Sequence, residues 1–207
     1  MSHPGATLKE LVSRPSPDAG EIAALLDRLP LGDRIDAIRE LGGTRLQGAL
    51  WHAVSASPRV DTDQMVPPDY PVLRPVIFHG KNSLPAFTNF EKICFRPEES
   101  SSGGAHVAWG YNQTSILGLV GPGYYVLHDT PPATLGGAAF DYTQIPAHGL
   151  PSWPPVRTNN SGISRLVYAN MIDYMRRVAS DVFIGSAVAR DREMGSYFIL
   201  VRELLGG

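Results

Sequence analysis

The spacing of apolar positions changes once along the chain, near residue 57. Before that point apolar residues recur every three or four positions, as on amphipathic helices. Ser16, Pro17 and Asp18 supply an N-cap, a first-turn proline and an early acid ahead of Ile22, Leu25, Leu26 and Leu29. Pro30 and Gly32 interrupt this helix, and Asp33 is placed to cap a second one carrying Ile35, Ile38 and Leu41. Gly42 and Gly43 end it, and Thr44 is placed to cap a third bearing Leu46, Leu50, Trp51 and Val54. Three short helices bury little alone, so they are expected to pack on the rest of the chain or on a partner. The polar stretch SASPRVDTDQMVPPDYPVLR, residues 55–74, then reads as a linker or wrapping segment.

Beyond it the period is two. RPVIFHGKN predicts a first strand, and NFEKICFRP alternates Phe90, Lys92 and Cys94 with Glu91, Ile93 and Phe95. PEESSSGG is an exposed turn, HVAWGYN and SILGLVGPGYYVLHD hold two or three strands, and AAFDYTQI holds another. Residues 146–162, PAHGLPSWPPVRTNNSG, form a long proline-rich loop expected to act as a lid or binding loop. In SRLVYANMIDYMRRVAS, Val167, Met171, Tyr174, Met175 and Val178 fall at helical spacing, although a strand through 166–168 before a short helix also fits. DVFIGSAVA and SYFILVRE make a closing hairpin around RDREMG. The expected fold is α+β: a helical segment 1–57, a linker 58–75, and an antiparallel β-barrel or strongly curved sheet over 76–207 with one helix. Barrel closure disposes of the exposed edges that eight to ten short strands would otherwise leave.

Composition narrows the function classes. An apolar content of 43 % permits a real core, and a net charge of −2 gives no field for nucleic acid or an anionic membrane. One cysteine excludes a disulfide framework, and no apolar run reaches the length of a membrane span. MSHPGATLKELVSR has no apolar signal region, so a cytoplasmic protein is expected. No phosphate loop, dinucleotide fingerprint, nucleophile elbow or local metal-ligand spacing is present, so neither cofactor nor metal is expected.

Ile172, Asp173, Tyr174, Arg176, Arg177 and Val178, then Ile184–Gly185, Phe198 and Arg202–Glu203, resemble the closing half of lipocalin-like small barrels, in particular bacterial GXWXG-type domains of unknown function. FHGKN at 78–82 is loosely similar to the opening motif of such domains but lacks its tryptophan. GKNSLPAF, GYN and GPGY also look like a set of uncharacterised bacterial proteins. The resemblance implies a barrel with an interior cavity for an apolar or amphipathic ligand, and no particular reaction.

The candidate chemistry sits on the strands. His79 and Lys81 share one face of the first strand and suit either an anionic head group or acid–base work, with Asn82 opposite; the alternative is a satisfied His and a solvated Lys. Glu91, facing the way of Ile93 and Phe95, is either a wall carboxylate of raised pKa or the partner of Arg74, Arg176 or Arg177. Cys94 reads as packing. Trp109 and Tyr111 project one way and Asn112 the other, in the manner of an apolar pocket with a few orienting polar groups. Tyr142, Asp173 and Arg176 are further polar groups among apolar ones, Asp173 and Arg176 forming a local pair if their segment is helical. Three readings follow. In the first, a binding module encloses an apolar or amphipathic small molecule, held by Lys81, Asn82, Trp109, Asn112, Tyr142 and Arg176. In the second, a cofactor-free isomerase, cyclase or lyase uses His79, Glu91, Tyr111 and Asp173. In the third, an assembly protein, such as a homodimer, docks through Leu46, Leu50 and Trp51.

Overall fold

A computed structural model describes residues 3–85, 88–98, 107–114, 121–159, 168, 170–190 and 192–205. Four helices come first: α1 (Pro4–Ser13), α2 (Ala19–Arg28), α3 (Leu31–Arg39) and α4 (Thr44–Ala53). The Asp18 carboxylate caps α2 by accepting from the Glu21 amide at 2.9 Å. α3 begins one residue after Pro30, which leaves Asp33 in its first turn rather than at its cap. Gly43, at a φ of 80°, leads into α4. None of the described helices is long and apolar enough to cross a membrane.

Eight strands among the described residues follow: β1 (Val76–Asn82), β2 (Asn89–Phe95), β3 (Val107–Gln113), β4 (Tyr125–Asp129), β5 (Ala138–Asp141), β6 (Met171–Ala179), β7 (Val182–Ala189) and β8 (Arg192–Leu204). Each pairs antiparallel with the next, and β1 pairs with β8, so the sheet closes as an up-and-down barrel of lipocalin-like architecture. The segment from Met171 to Ala179 is a strand, contrary to the helical spacing of its apolar residues. Both of its faces are apolar because the inner one lines the barrel and the outer one carries the helices, and that double coverage imitates a helical pattern.

Two cores result. Inside the barrel, Phe78 meets Phe140 and Phe183 edge-on at 6.1 and 6.0 Å, and Tyr125 meets Phe140 at 4.8 Å. Gly80 and Gly185 lie under the Phe90 and Phe198 rings, where any β-carbon would overlap them. The expected open cavity is thus occupied, through the middle of the barrel, by the protein's own rings. Outside, Val178, Val182, Ile184, Ile199 and Val201 face Leu8, Ile22, Leu26, Ile38, Leu50 and Trp51. Leu46, Leu50 and Trp51 are buried there, so the stripe proposed for docking a partner is covered by this chain's own β6–β8. Arg176 fastens the layer: its guanidinium lies 3.8 Å from the Trp51 ring centre and donates to the Trp51 and Leu135 carbonyls at 2.8 and 3.0 Å.

The stretch expected as a linker or wrapping segment closes one end of the barrel. It contains α5 (Thr62–Met65), and Val60, Met65 and Val66 join the interior core. The Asp61 cap, the bonds from the Thr62 amide and hydroxyl to Asp129 at 2.7 and 2.8 Å, and Arg96 bonded to Asp63 and the Val66 carbonyl hold it in place.

Candidate functional site

At the opposite end β1, β3, β5 and β7 finish and β2, β4, β6 and β8 begin. Alternation turns Phe90, Lys92 and Cys94 of β2 inward, and register brings Lys92 level with Asn112 of β3. Phe140 of β5 lies opposite Asp173 of β6, and Tyr142 follows just past the end of β5. Four polar side chains from four stretches of chain therefore meet inside a barrel lined by rings. Lys92 Nζ reaches Asp173 Oδ2 at 3.2 Å, Asn112 Oδ1 at 3.1 Å and the Tyr142 hydroxyl. That hydroxyl also lies 3.3 Å from Asn112 Oδ1 and 3.3 Å from Asp173 Oδ2, and Asn112 Nδ2 donates to it at 2.9 Å. Rings surround the lysine, with Phe140 at 4.6 Å, Tyr142 at 4.9 Å, Phe198 at 5.0 Å and Tyr125 at 5.1 Å.

Lys92 and Asp173 are 2 % and 3 % exposed, so both charges are out of water. Burial lowers the lysine pKa, and Asp173 acts against that shift by attraction and hydrogen bonding. Burial raises the Asp173 carboxyl, opposed by Lys92 and Tyr142. Both shifts lean toward the neutral amine and neutral acid. Burial, followed by the Asp173 charge, pushes the Tyr142 hydroxyl well above its ordinary value. One atom is left over: Asp173 Oδ1 is buried and has no hydrogen-bond partner among the described residues. A buried acceptor in that state is uncommon and costs free energy.

Three of the ten candidate residues, Asn112, Tyr142 and Asp173, belong to this cluster. Asp173 pairs across the barrel with Lys92 rather than locally with Arg176, because in a strand those two side chains point to opposite faces. The other proposed acid–base residues do not converge with it. His79 lies on the outer surface between two carboxylates, with Nδ1 at 3.2 Å from Glu91 and Nε2 at 2.7 Å from Glu203. Glu91 is therefore an outer residue, not a wall of the interior. Tyr111 is also outside: its hydroxyl donates to Gln113 at 3.0 Å, and burial, then the Glu91 charge, raises its pKa. Lys81 donates to the Thr88 hydroxyl at 2.9 Å on the outer face, and Asn82 accepts from the Leu84 amide in the β1–β2 turn. Trp109 is external, and Arg176 is committed to Trp51.

The described part of the proline-rich loop wraps the barrel wall instead of covering its mouth. Trp153 packs on Phe95 at 5.1 Å and on Tyr111 at 4.8 Å, and His148 meets Trp109 at 4.9 Å. Asn159 then donates to the Tyr124 and Tyr142 carbonyls at 2.7 and 2.9 Å. Residues 160–162 lie outside the described residues. Tyr168, later in the same connection, does reach the cluster, stacking on Tyr142 at 5.1 Å and 16°. Lys92 and Tyr168 are the residues that sequence reasoning missed. The available signal was Lys92 alternating with Phe90 and Cys94, since a lysine between two inward residues either snorkels or has a buried partner. Cys94 is inert packing, its thiol pushed up to about 12 by burial.

Among the described residues no group of three His, Cys, Asp or Glu side chains is arranged to hold a metal ion. Comparison with known proteins finds no matching family model, no matching curated protein and no matching solved structure.

Proposed function

We propose that this chain is a small-molecule-binding barrel whose ligand is apolar or amphipathic and places its polar end beside Asp173. The observation that carries this reading is the unpartnered, buried Asp173 Oδ1 in an otherwise interconnected network of Lys92, Asn112 and Tyr142. Aromatic walls and a few convergent polar groups are what such sites use to hold an apolar body and orient one polar atom. Because rings fill the barrel's middle, the ligand is confined to the end near Tyr168. Native mass spectrometry of protein purified from its own cells is expected to show a retained small molecule, released on denaturation. Asp173→Asn should lower its occupancy at least tenfold. Wild-type protein that carries nothing, and whose melting temperature no apolar alcohol, aldehyde or amide raises, would sink the proposal.

A further inference from the structure

Lys9, Lys81 and Lys92 are the lysines of the chain, while arginine supplies nearly all its other cationic side chains. One of these three is placed in the barrel interior, where a methionine-sized apolar side chain would fill similar space without the cost of burying a charge. Lysine differs from both arginine and methionine in one respect that matters in a dry aromatic chamber: its amine, once neutral, is a nucleophile.

We propose, building on the ligand-binding reading above, that Lys92 captures an aldehyde or ketone as an imine, with Asp173 carrying the protons. The geometry supplies each part. Lys92 Nζ donates to Asn112 Oδ1 at 3.1 Å, to Asp173 Oδ2 at 3.2 Å and to the Tyr142 hydroxyl; a neutral amine has two N–H bonds, so it keeps the first two contacts and turns its lone pair to the third position. When a carbonyl carbon takes that lone pair, the Tyr142 hydroxyl has acceptors to turn to, Asn112 Oδ1 and Asp173 Oδ2, each at 3.3 Å. The unpartnered Asp173 Oδ1 is the position for the ligand's oxygen.

In the first step the Lys92 nitrogen forms a bond to the carbonyl carbon. The π pair moves to oxygen, which takes the carboxyl proton of Asp173, and the nitrogen returns a proton to the resulting carboxylate. The product is a carbinolamine. In the second step Asp173 protonates the carbinolamine hydroxyl, the C–O bond breaks and water leaves. The nitrogen lone pair closes C=N, and the N–H proton passes to Asp173 or stays as an iminium paired with it. One carbonyl compound and one amine give one imine and one water. Burial favours the neutral amine and neutral acid that the first step needs. The ring walls exclude the water that would reverse the second.

The test uses the full chain with trans-cinnamaldehyde as probe and cyanoborohydride to reduce the imine, followed by peptide mapping at Lys9, Lys81 and Lys92. Labelling at Lys92 is expected to exceed that at Lys9 and Lys81 at least tenfold. Asp173→Asn should slow labelling at Lys92 at least tenfold while leaving Lys9 unchanged, and Lys92→Arg should leave only the slow labelling of the other two. In parallel, binding of cinnamyl alcohol, which cannot form an imine, is followed by tryptophan fluorescence and thermal shift. If the alcohol binds and the aldehyde labels only Lys9, Lys81 and the N-terminus, imine capture is overturned while ligand binding stands. If the alcohol does not bind and Lys92 is not labelled, both are overturned.

Discussion

A buried lysine and aspartate hold each other in the interior, and the cost of removing one depends on whether the other remains. Lys92→Met leaves the buried Asp173 carboxyl without the amine that bonds it, and the expected loss is about 1–3 kcal/mol in urea unfolding at neutral pH. The sign of its pH dependence follows from burial, which raises the carboxyl. A group whose folded pKa lies above its unfolded value stabilises below the unfolded pKa and loses that contribution as pH rises through the folded one. The Lys92→Met variant should therefore be less impaired at pH 5 than at pH 8. Adding Asp173→Leu should restore most of the loss, because two apolar residues in the ring-lined interior leave no charge to satisfy. If the double variant is no more stable than the single one, Asp173 has other partners that sustain it. Sequence order made this pair hard to see: Lys92 and Asp173 stand 81 residues apart, and each has nearer residues of opposite charge.

At the scale of the strand, alternation was legible for β1, β2, β3, β7 and β8, but which face pointed inward was not. β2 shows why. Its outer residues Ile93 and Phe95 are as apolar as its inner ones, and the 146–159 stretch covers Phe95 with Trp153 and His148. Glu91, on that covered side, looks interior by its neighbours, while Lys92, which is interior, looks solvated by its charge. The same double coverage concealed the strand at Met171–Ala179. Across β4 and β5, His128 Nε2 approaches Asp141 at 3.4 Å. The bond to Asp141 raises the histidine pKa against an opposing effect of burial. Burial pushes the Asp141 carboxyl up, but bonds from His128, Thr143 and Gln144 outweigh it and hold the group well below the usual carboxylate range. The histidine contribution is fully present below its ordinary pKa of about 6.5 and is lost as pH rises through the raised value. The aspartate contribution is present above about pH 4 and is lost as pH falls through the lowered value. His128→Gln should remove roughly 1 kcal/mol near pH 5.5 and little above pH 8, read as the melting temperature across that range.

Over the whole molecule, the expected order of helices followed by an antiparallel barrel is the order observed, and the count of alternating runs indicated how many strands to expect. The role of residues 58–75 was not visible, since closing a barrel end requires contacts with β4, the β2–β3 connection and β8 that no local pattern encodes. The helical layer was legible as helices but not as a cladding of β6–β8, for the same reason.

The docking of α4 on the final strands has a consequence during synthesis. Trp51 leaves the ribosome about 125 residues before Arg176, the side chain that clasps it. At 5–20 residues per second that interval is roughly 6–25 s, during which the apolar stripe lacks its partners on β6–β8. β1 waits about as long, because its second neighbour is β8. A nascent chain stalled before β8 should therefore be cleaved readily by protease within α4 and retained by a hydrophobic-surface chaperone. Release of the full chain should protect it within seconds. Vectorial assembly is thus unavailable to this barrel: its two ends in time are neighbours in space, and its helices must be kept from aggregating until the closing hairpin emerges.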